Sequence, residues 1–365
     1  MPVDIAEIAA RLAKARADRT PIEQISAELP DFDLAAAYED IGDIPKARNA
    51  FARARAVYPS SAEVAWLYGN FLLRREEYDE GYAQVQRAVR ADPGLLAIAI
   101  TRTWRSSHDV QLLLDRVLPP NTDAYFQALD FLAANQQTDA GLVVWQRLLA
   151  LGRPITLSRA FPFLDELIHE ERATDSERVW LEALAAAGLP HDPPALHSLV
   201  WNGDFAREFA NGGLDWRWRG VLGAEINFDR GPAGGTSRAV RLDFTGGSNL
   251  ELNEPDQYVP VQPGCGYHFH AQMRTEGITT ESGIRFSLTD PNHGDAVGVT
   301  TENFTGSRAW TPIEADLTTG PQTHFLLLRL LRSPSRLFDN RLGGTAWIAE
   351  VALTQSTAAP EQPSR

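Results

Sequence analysis

Hydrophobic and polar positions follow different periods in the two halves of the chain. Up to about residue 188, apolar residues recur at helical spacing among Ala, Leu, Arg and Glu, which are good helix formers. From about residue 199, apolar and polar residues alternate between Gly, Pro, Asn and Asp, as in strands joined by turns. The pattern predicts a helical domain over 1–188, a proline-rich linker at 189–198, a β domain over 199–355 and a disordered tail at 356–365.

The helical half contains a repeat whose two copies end in prolines 34 residues apart, Pro59 and Pro93. Small residues allow paired helices to approach closely; these are Ala47, Ala54, Gly69, Gly81 and Ala88. This pattern resembles the tetratricopeptide repeat (TPR) family, closely over residues 28–93 and more loosely to 188. The resemblance implies a solenoid of stacked helix pairs, with residues 1–30 as a capping helix and a groove for a protein or peptide partner.

One helix face in the second repeat is a candidate for that groove. Trp66, Asn70 and Arg74 recur at i, i+4 and i+8, which places them on the same side of the helix. The face is either a peptide-binding groove or an ordinary polar helix surface.

Residues 1–38 are also similar to the N-terminal segment of 2-oxo-heptenedioate hydratases. The catalytic residues of those enzymes lie further along the chain, where the similarity stops. We therefore interpret the segment as part of the helical cap and rank hydratase activity behind the binding functions.

The β half contains eight segments with strand character and no helical pattern between them. They are 224–229, 237–244, 256–261, 266–275, 283–289, 309–317, 324–331 and 345–354. Such a series indicates an antiparallel sandwich. The predicted fold class is therefore α + β multidomain: an α-helical TPR-like solenoid followed by an antiparallel β-sandwich of jelly-roll type.

Several motifs of the β half occur in the order found in a known family. They are LVWNGDF, DWRW, GGTSRAVRLDF, QYVPVQPGCGYHFHAQMRTE, GIRFSLTD, AWTPIEADLTT and GTAWIAEVALTQ. The series resembles carbohydrate-binding modules of the galactose-binding-like type, which implies a sugar site on a sheet face or at edge loops. Family members often hold a structural calcium ion. Here Ala206 and Ala349 replace two acidic positions, and Asp204 and Glu350 are too few for calcium, so we expect no metal.

A sugar site needs an aromatic platform with polar groups at its margin. Trp216 and Trp218 have strand spacing, and the candidate polar partners are His270, Gln272, Arg274 and Arg285. Alternation along the strand at 266–275 separates apolar Tyr267 and Phe269 from polar His268 and His270. Trp216 and Trp218 either form the platform or fill the core. Trp201 and Trp347 are interpreted as core residues.

Composition narrows the functional classes. The net charge of −14 disfavours a nucleic-acid partner, and no apolar run is long enough for membrane insertion. With no signal-peptide pattern, the default location is cytoplasmic, with association to the cell envelope left open. The chain has one cysteine and no nucleophile or nucleotide motif, and His268 and His270 have no evident third ligand, so we expect no cofactor and no metal.

The predicted function is a non-catalytic bacterial scaffold that binds a protein at the helical groove and a glycan at the sandwich, in polysaccharide or envelope processes. The alternative is a pure protein-interaction scaffold with a structural β-sandwich. An enzyme, hydratase-like or glycan-active, ranks behind both.

Overall fold

The fold is that of a computed structural model, which describes residues 31–190, 198–232, 238–338 and 340–356. The predicted cap at 1–30, most of the linker and all but the first residue of the tail lie outside these residues. The chain divides into two compact units, 1–152 and 153–365. Helices followed by antiparallel sheets confirm the α + β architecture.

The described part of the chain contains ten α-helices, eight of them in the first unit. These eight are α1 Asp31–Asp40, α2 Ile44–Val57, α3 Ala62–Leu73, α4 Tyr78–Ala91, α5 Leu96–Ser107, α6 Val110–Leu112, α7 Thr122–Ala134 and α8 Thr138–Leu149. A π-helical turn, Leu113–Val117, extends α6. Side-chain caps define several starts, since Ser61, Asp43 and Asn121 accept hydrogen bonds from backbone amides of α3, α2 and α7.

Two glycines bring α3 and α4 into close contact. A Cβ atom at Gly69 would lie 3.0 Å from the Gly81 carbonyl oxygen, and one at Gly81 would lie 2.8 Å from Leu73 Cδ2. Any larger side chain would therefore push the helices apart. Phe51, Tyr68 and Phe71 fill the space beside this contact, with ring centroids 5.1–6.3 Å apart. The starts of α2 and α4 are 34 residues apart, at Ile44 and Tyr78, so the helix pairs repeat at the spacing of the sequence pattern.

The second unit contains a helix pair and a β-sandwich. The helices are α9 Phe161–His169 and α10 Ala173–Ala186. The strands are β1 Ala224–Arg230, β2 Arg238–Thr245, β3 Asp256–Pro260, β4 Gly266–Ile278, β5 Arg285–Asp290, β6 Gly294–Thr300, β7 Gly306–Thr318, β8 Phe325–Leu331 and β9 Gly343–Gln355. All pairs are antiparallel, in a five-stranded sheet β1-β2-β9-β4-β7 and a four-stranded sheet β3-β8-β5-β6.

All eight predicted strands are present, and a ninth, β6, was not predicted. Its sequence, GDAVGVT, contains two glycines and an aspartate, which are uncommon in strands. The buried side chains between the sheets form one continuous apolar core, including Phe205, Trp216, Tyr267, Phe269, Phe286 and Ile348. Burial of these large side chains is the main source of the sandwich's stability.

The helix pair α9–α10 packs directly on the sandwich. Trp180 of α10 contacts Trp201 edge-to-face, with ring centroids 5.9 Å apart. The turn at Gly212 and Gly213 accommodates this packing, because a Cβ at Gly213 would lie 2.5 Å from the Trp180 ring. Arg217, itself buried, donates to Asp165 of α9 at 3.0 Å. These two helices, which the sequence groups with the solenoid, thus lie in the second compact unit.

Candidate functional site

The outward face of the five-stranded sheet carries most of the polar side chains that the sequence singles out. Along β4, Tyr267, Phe269, Ala271 and Met273 are buried, whereas His268, His270, Gln272 and Arg274 are half-buried on the other side. The predicted alternation of this strand is confirmed. Strand pairing then sets the neighbours of these four residues on β7 and β9.

A row of four residues crosses this face at the level of Trp347. Arg274 of β4 pairs with Trp347 of β9, which pairs with Arg241 of β2, which in turn pairs with Asn227 of β1. Trp347 is half-buried, and its strand neighbours Ala346 and Ile348 point into the core. The interpretation of Trp347 as a core residue is therefore wrong: its indole lies on the outward face.

A bulge explains this error. Val351 and Leu353 of β9 are buried, and alternation counted back from them places Trp347 inside. The left-handed backbone of Glu350 (φ 53°) and a register shift against β4 reverse the alternation, so that Ala346 and Ile348 point inward instead.

Charged groups hold the Trp347 indole in place. The Arg274 guanidinium lies 4.3 Å from the ring centroid, and the indole N–H donates to Asp229 Oδ2 at 2.9 Å. Arg241 also donates to Asp229, at 3.3 Å, and to Asp243 at 2.8 Å. The pKa of Asp229 lies below its usual value, chiefly because the indole N–H donates to it, with the charge of Arg241 adding to the effect.

The remaining polar side chains of the face extend toward β7. His268 Nδ1 lies 2.8 Å from Asp316 Oδ1, and His270 Nδ1 lies 4.0 Å from Glu314 Oε1. Gln272 lies between Pro312 of β7 and Ala349 of β9. The face therefore combines one large aromatic ring with amide, imidazole, guanidinium and carboxylate groups, a mixture that can stack on a flat ring and hydrogen-bond hydroxyls.

Two of the predicted sugar-site residues lie away from this face. The Trp216 side chain has no exposed surface and packs against Phe205 and Phe209, with centroids 5.5 and 6.1 Å apart. Trp218 is half-buried and packs against the same core. Between them, the backbone of Arg217 forms an isolated antiparallel β-bridge with Asp256 of β3, so the segment lies at the edge of the four-stranded sheet. Of the two readings left open for these tryptophans, the structure places both against the core.

Arg285 is also separated from the other polar candidates. It lies on β5 in the four-stranded sheet, opposite Leu331, and faces away from the core residue Phe286. The expectation that Arg285 joins His270, Gln272 and Arg274 is corrected, because the two sheets turn their polar faces to opposite sides of the sandwich.

Within the first unit, the three groove candidates line one cavity of about 320 Å³. Arg102 of α5 stacks over the Trp66 ring at 5.2 Å and donates to Asn70 Oδ1 at 3.0 Å. Arg74 forms a bidentate pair with Glu39, at 2.9 and 2.6 Å. Arg102 was not a candidate, since its place beside Trp66 depends on how α5 packs against α3.

The calcium positions implied by the family resemblance do not form a cation site from their side chains. Asp204 accepts a hydrogen bond from the Ala206 amide, and Glu350 is exposed on β9. Neither belongs to a group of three closely spaced acidic, histidine or cysteine side chains among the described residues.

Solved structures that are similar to the sheet region include carbohydrate-binding modules. No protein-family model matches the chain, and no curated protein does either. Similar solved structures include a CBM4 carbohydrate-binding module (11% identity, TM-score 0.31, covering 43% of this chain and 99% of the module). The xylan-binding CBM22-1 domain of Paenibacillus barcinonensis Xyn10C is 13% identical, with TM-score 0.28, covering 45% and 94% of the two chains.

The enzymatically active domain of tailspike protein 4 from bacteriophage CBA120 is 14% identical, with TM-score 0.34 and 44% of this chain covered. The match spans 22% of that domain, so the chain corresponds to a small part of it. Among the described residues, no helix has the length and apolarity needed to cross a membrane.

Proposed function

We propose that this chain is a non-catalytic binding protein whose five-stranded sheet face, centred on Trp347, binds a neutral glycan. The observation that carries the proposal is the outward Trp347 indole, surrounded by side chains that donate and accept hydrogen bonds. Sugar rings have apolar faces edged by hydroxyls, so they suit a flat aromatic surface with a polar margin. The indole reaches from β9 across β2 toward Asp229 of β1, so the ring lies along the sheet face.

Arg274 sets how a sugar reaches the indole. Its guanidinium covers one part of the ring and also donates to exposed Glu276 at 3.1 Å. The side chains of Arg274 and Glu276 are 42% and 65% exposed, so movement of the Arg274 guanidinium off the ring costs little. The same guanidinium can then donate to a sugar hydroxyl beside the ring.

The charges on this face favour an uncharged ligand. Two guanidinium groups, Arg241 and Arg274, are outnumbered by carboxylates. The carboxylates on the same face are Glu225, Asp229, Asp243, Glu276, Glu314 and Asp316. A uronic acid or sulfated glycan would meet net repulsion here, whereas neutral hydroxyls can donate to the carboxylates.

A glycan array with the full chain tests the proposal. We expect binding to neutral oligosaccharides and none to uronic acid or sulfated glycans of the same length. Signals confined to anionic glycans, or an array without signals, would contradict it.

The cavity in the first unit supports a second binding function, to an extended peptide with a carboxylate group. Its wall combines the Trp66 ring with the Arg102 guanidinium, which suits a carboxylate ligand, whereas Arg74 is already paired with Glu39. The two functions together describe a TPR-like scaffold that connects a protein partner with a glycan.

Arg102→Ala should reduce peptide binding about tenfold, because one charge-assisted hydrogen bond contributes about 1.5 kcal/mol. The measurement is binding of the full chain to an array of peptides with free C-terminal carboxylates. Arg53→Ala is the matched control, since Arg53 pairs with Asp31 outside the cavity. Equal binding by the two variants would rule out the cavity as the peptide site.

A further inference from the structure

Three side chains able to bind a metal converge where the helix pair α9–α10 meets the sandwich. Glu171 lies in the turn between α9 and α10, and Asp290 and His293 lie at the turn between β5 and β6. Their ligand atoms all lie within 4.8 Å of one another. No other group of three His, Cys, Asp or Glu side chains has this spacing in the part of the chain that the structure describes.

One imidazole nitrogen faces both carboxylates of this group. His293 Nδ1 lies 3.1 Å from Asp290 Oδ2 and 3.5 Å from Glu171 Oε1, so one nitrogen faces two carboxylates. A single hydrogen on Nδ1 can be directed at only one of them. A divalent cation between the three atoms would contact all of them and neutralise both carboxylates.

Groups behind Asp290 fix its orientation. Its side chain is 2% exposed, and it accepts hydrogen bonds from the Thr323 hydroxyl at 2.5 Å and from the Asn292 and His293 amides at 2.9 and 3.0 Å. The carboxylate is therefore held in one position, as outer hydrogen bonds hold metal ligands in known sites.

We propose that Glu171, Asp290 and His293 bind a divalent metal ion of the zinc class. One imidazole nitrogen and two carboxylate oxygens are a ligand set that Zn²⁺ accepts, with a fourth position left for water. Calcium is less suitable, because it takes six to eight oxygen ligands. The ion would connect the helix pair to a turn 119 residues further along the chain, beside the 2.7 Å hydrogen bond from Asn292 to Glu171.

Calorimetric titration of the metal-free full chain with ZnCl₂ tests the site, with Co²⁺ absorption as a second readout. We expect one ion per chain, a Co²⁺ spectrum of an imidazole–carboxylate site, and loss of both in His293→Ala. Thr323→Val should weaken binding roughly 10- to 100-fold, because Asp290 loses its orienting hydroxyl.

His268→Ala is the matched control, because His268 forms an imidazole–carboxylate pair with Asp316 at 2.8 Å but has no third ligand. Glu171→Gln removes a second ligand, in the turn between α9 and α10. Circular dichroism of each metal-free variant establishes that it is folded. The proposal is overturned if the wild type binds no Zn²⁺, or if folded His293→Ala and Glu171→Gln bind it as tightly as His268→Ala. Glycan binding enters none of these measurements, so the two proposals fail independently.

Discussion

Replacing Trp347 with alanine is expected to weaken glycan binding roughly 30-fold or more, since aromatic residues at the centre of a binding surface typically contribute 2 kcal/mol or more. The indole supplies the only large aromatic surface in the row Arg274–Trp347–Arg241–Asn227 across the sheet face. Its removal also frees Asp229 and Arg274 from their contacts with the ring. Because Trp347 is half-buried and lies outside the core between the sheets, the variant should remain folded. Calorimetric titration with the neutral glycan selected by the array measures the loss.

Arg285→Ala is the control for Trp347→Ala. Arg285 lies on the outward face of the opposite sheet, so its removal should leave glycan affinity unchanged. If Trp347→Ala binds as tightly as Arg285→Ala while both are folded, the sugar does not bind at the indole.

Wild type should lose about 3 kcal/mol in its free energy of unfolding as pH rises past the pKa of Asp215, and Asp215→Asn should remove this loss. Asp215 is 5% exposed and accepts hydrogen bonds from the Trp216 and Ala210 amides at 2.8 and 3.1 Å. Burial raises the pKa of Asp215 to about 6, against the lowering effect of these bonds. The folded chain therefore binds the Asp215 proton more tightly than the unfolded chain, whose carboxyl titrates near the ordinary aspartate pKa of 3.8.

The sign of the effect follows from this difference. As pH rises from about 4 to 6, the folded protein alone retains the proton, and its stability falls by roughly 1.4 kcal/mol per pKa unit of difference. Above pH 6 the full cost of the buried charge remains. Asparagine carries no charge and keeps one acceptor oxygen, so the variant escapes this cost but loses one hydrogen bond, worth about 1 kcal/mol.

Urea unfolding of the full chain at pH 4, 6 and 8 measures the effect. The free energy of unfolding of the second unit is compared between each variant and wild type. Asp215→Asn should be the less stable protein at pH 4 and the more stable one at pH 8. Asp204→Asn, at an exposed position in the same loop region, should show no such crossing. Parallel curves for Asp215→Asn and wild type would show that the Asp215 carboxyl titrates alike in folded and unfolded chains.

Much of the sandwich could be predicted from the sequence, because alternation along a strand depends on local spacing alone. Tyr267 and His268 fall on opposite faces as expected, and eight strands lie where turn residues delimit them. Alternation cannot reveal which sheet a strand joins, since pairing depends on partners far along the chain. Arg285 and His270 therefore looked like neighbours although they face opposite sides of the sandwich. Alternation also does not reveal the bulge at Glu350, so it places Trp347 in the core.

The local pattern also predicts the helix pairs of the first unit, through small residues such as Gly69 and Gly81. It does not predict that the last pair, α9–α10, belongs to the second unit. Trp180 of α10 follows Trp145 of α8 by 35 residues, close to the repeat period, and nothing near it in sequence indicates that its ring packs against Trp201. The candidate metal ligands were missed for a similar reason, because 119 residues separate Glu171 from Asp290.

The position of β9 has a consequence for synthesis of the chain. This last strand lies in the middle of its sheet, where it pairs Gly343 with Thr245 of β2 and also pairs with β4. Translation proceeds at roughly 5–20 residues per second, so β2 waits on the order of 5–20 seconds for its partner after it is made. Until then the unpaired backbone edge of β2 is open to other chains. Yield should therefore respond to translation speed and to chaperone supply more than the stability of the finished sandwich would indicate.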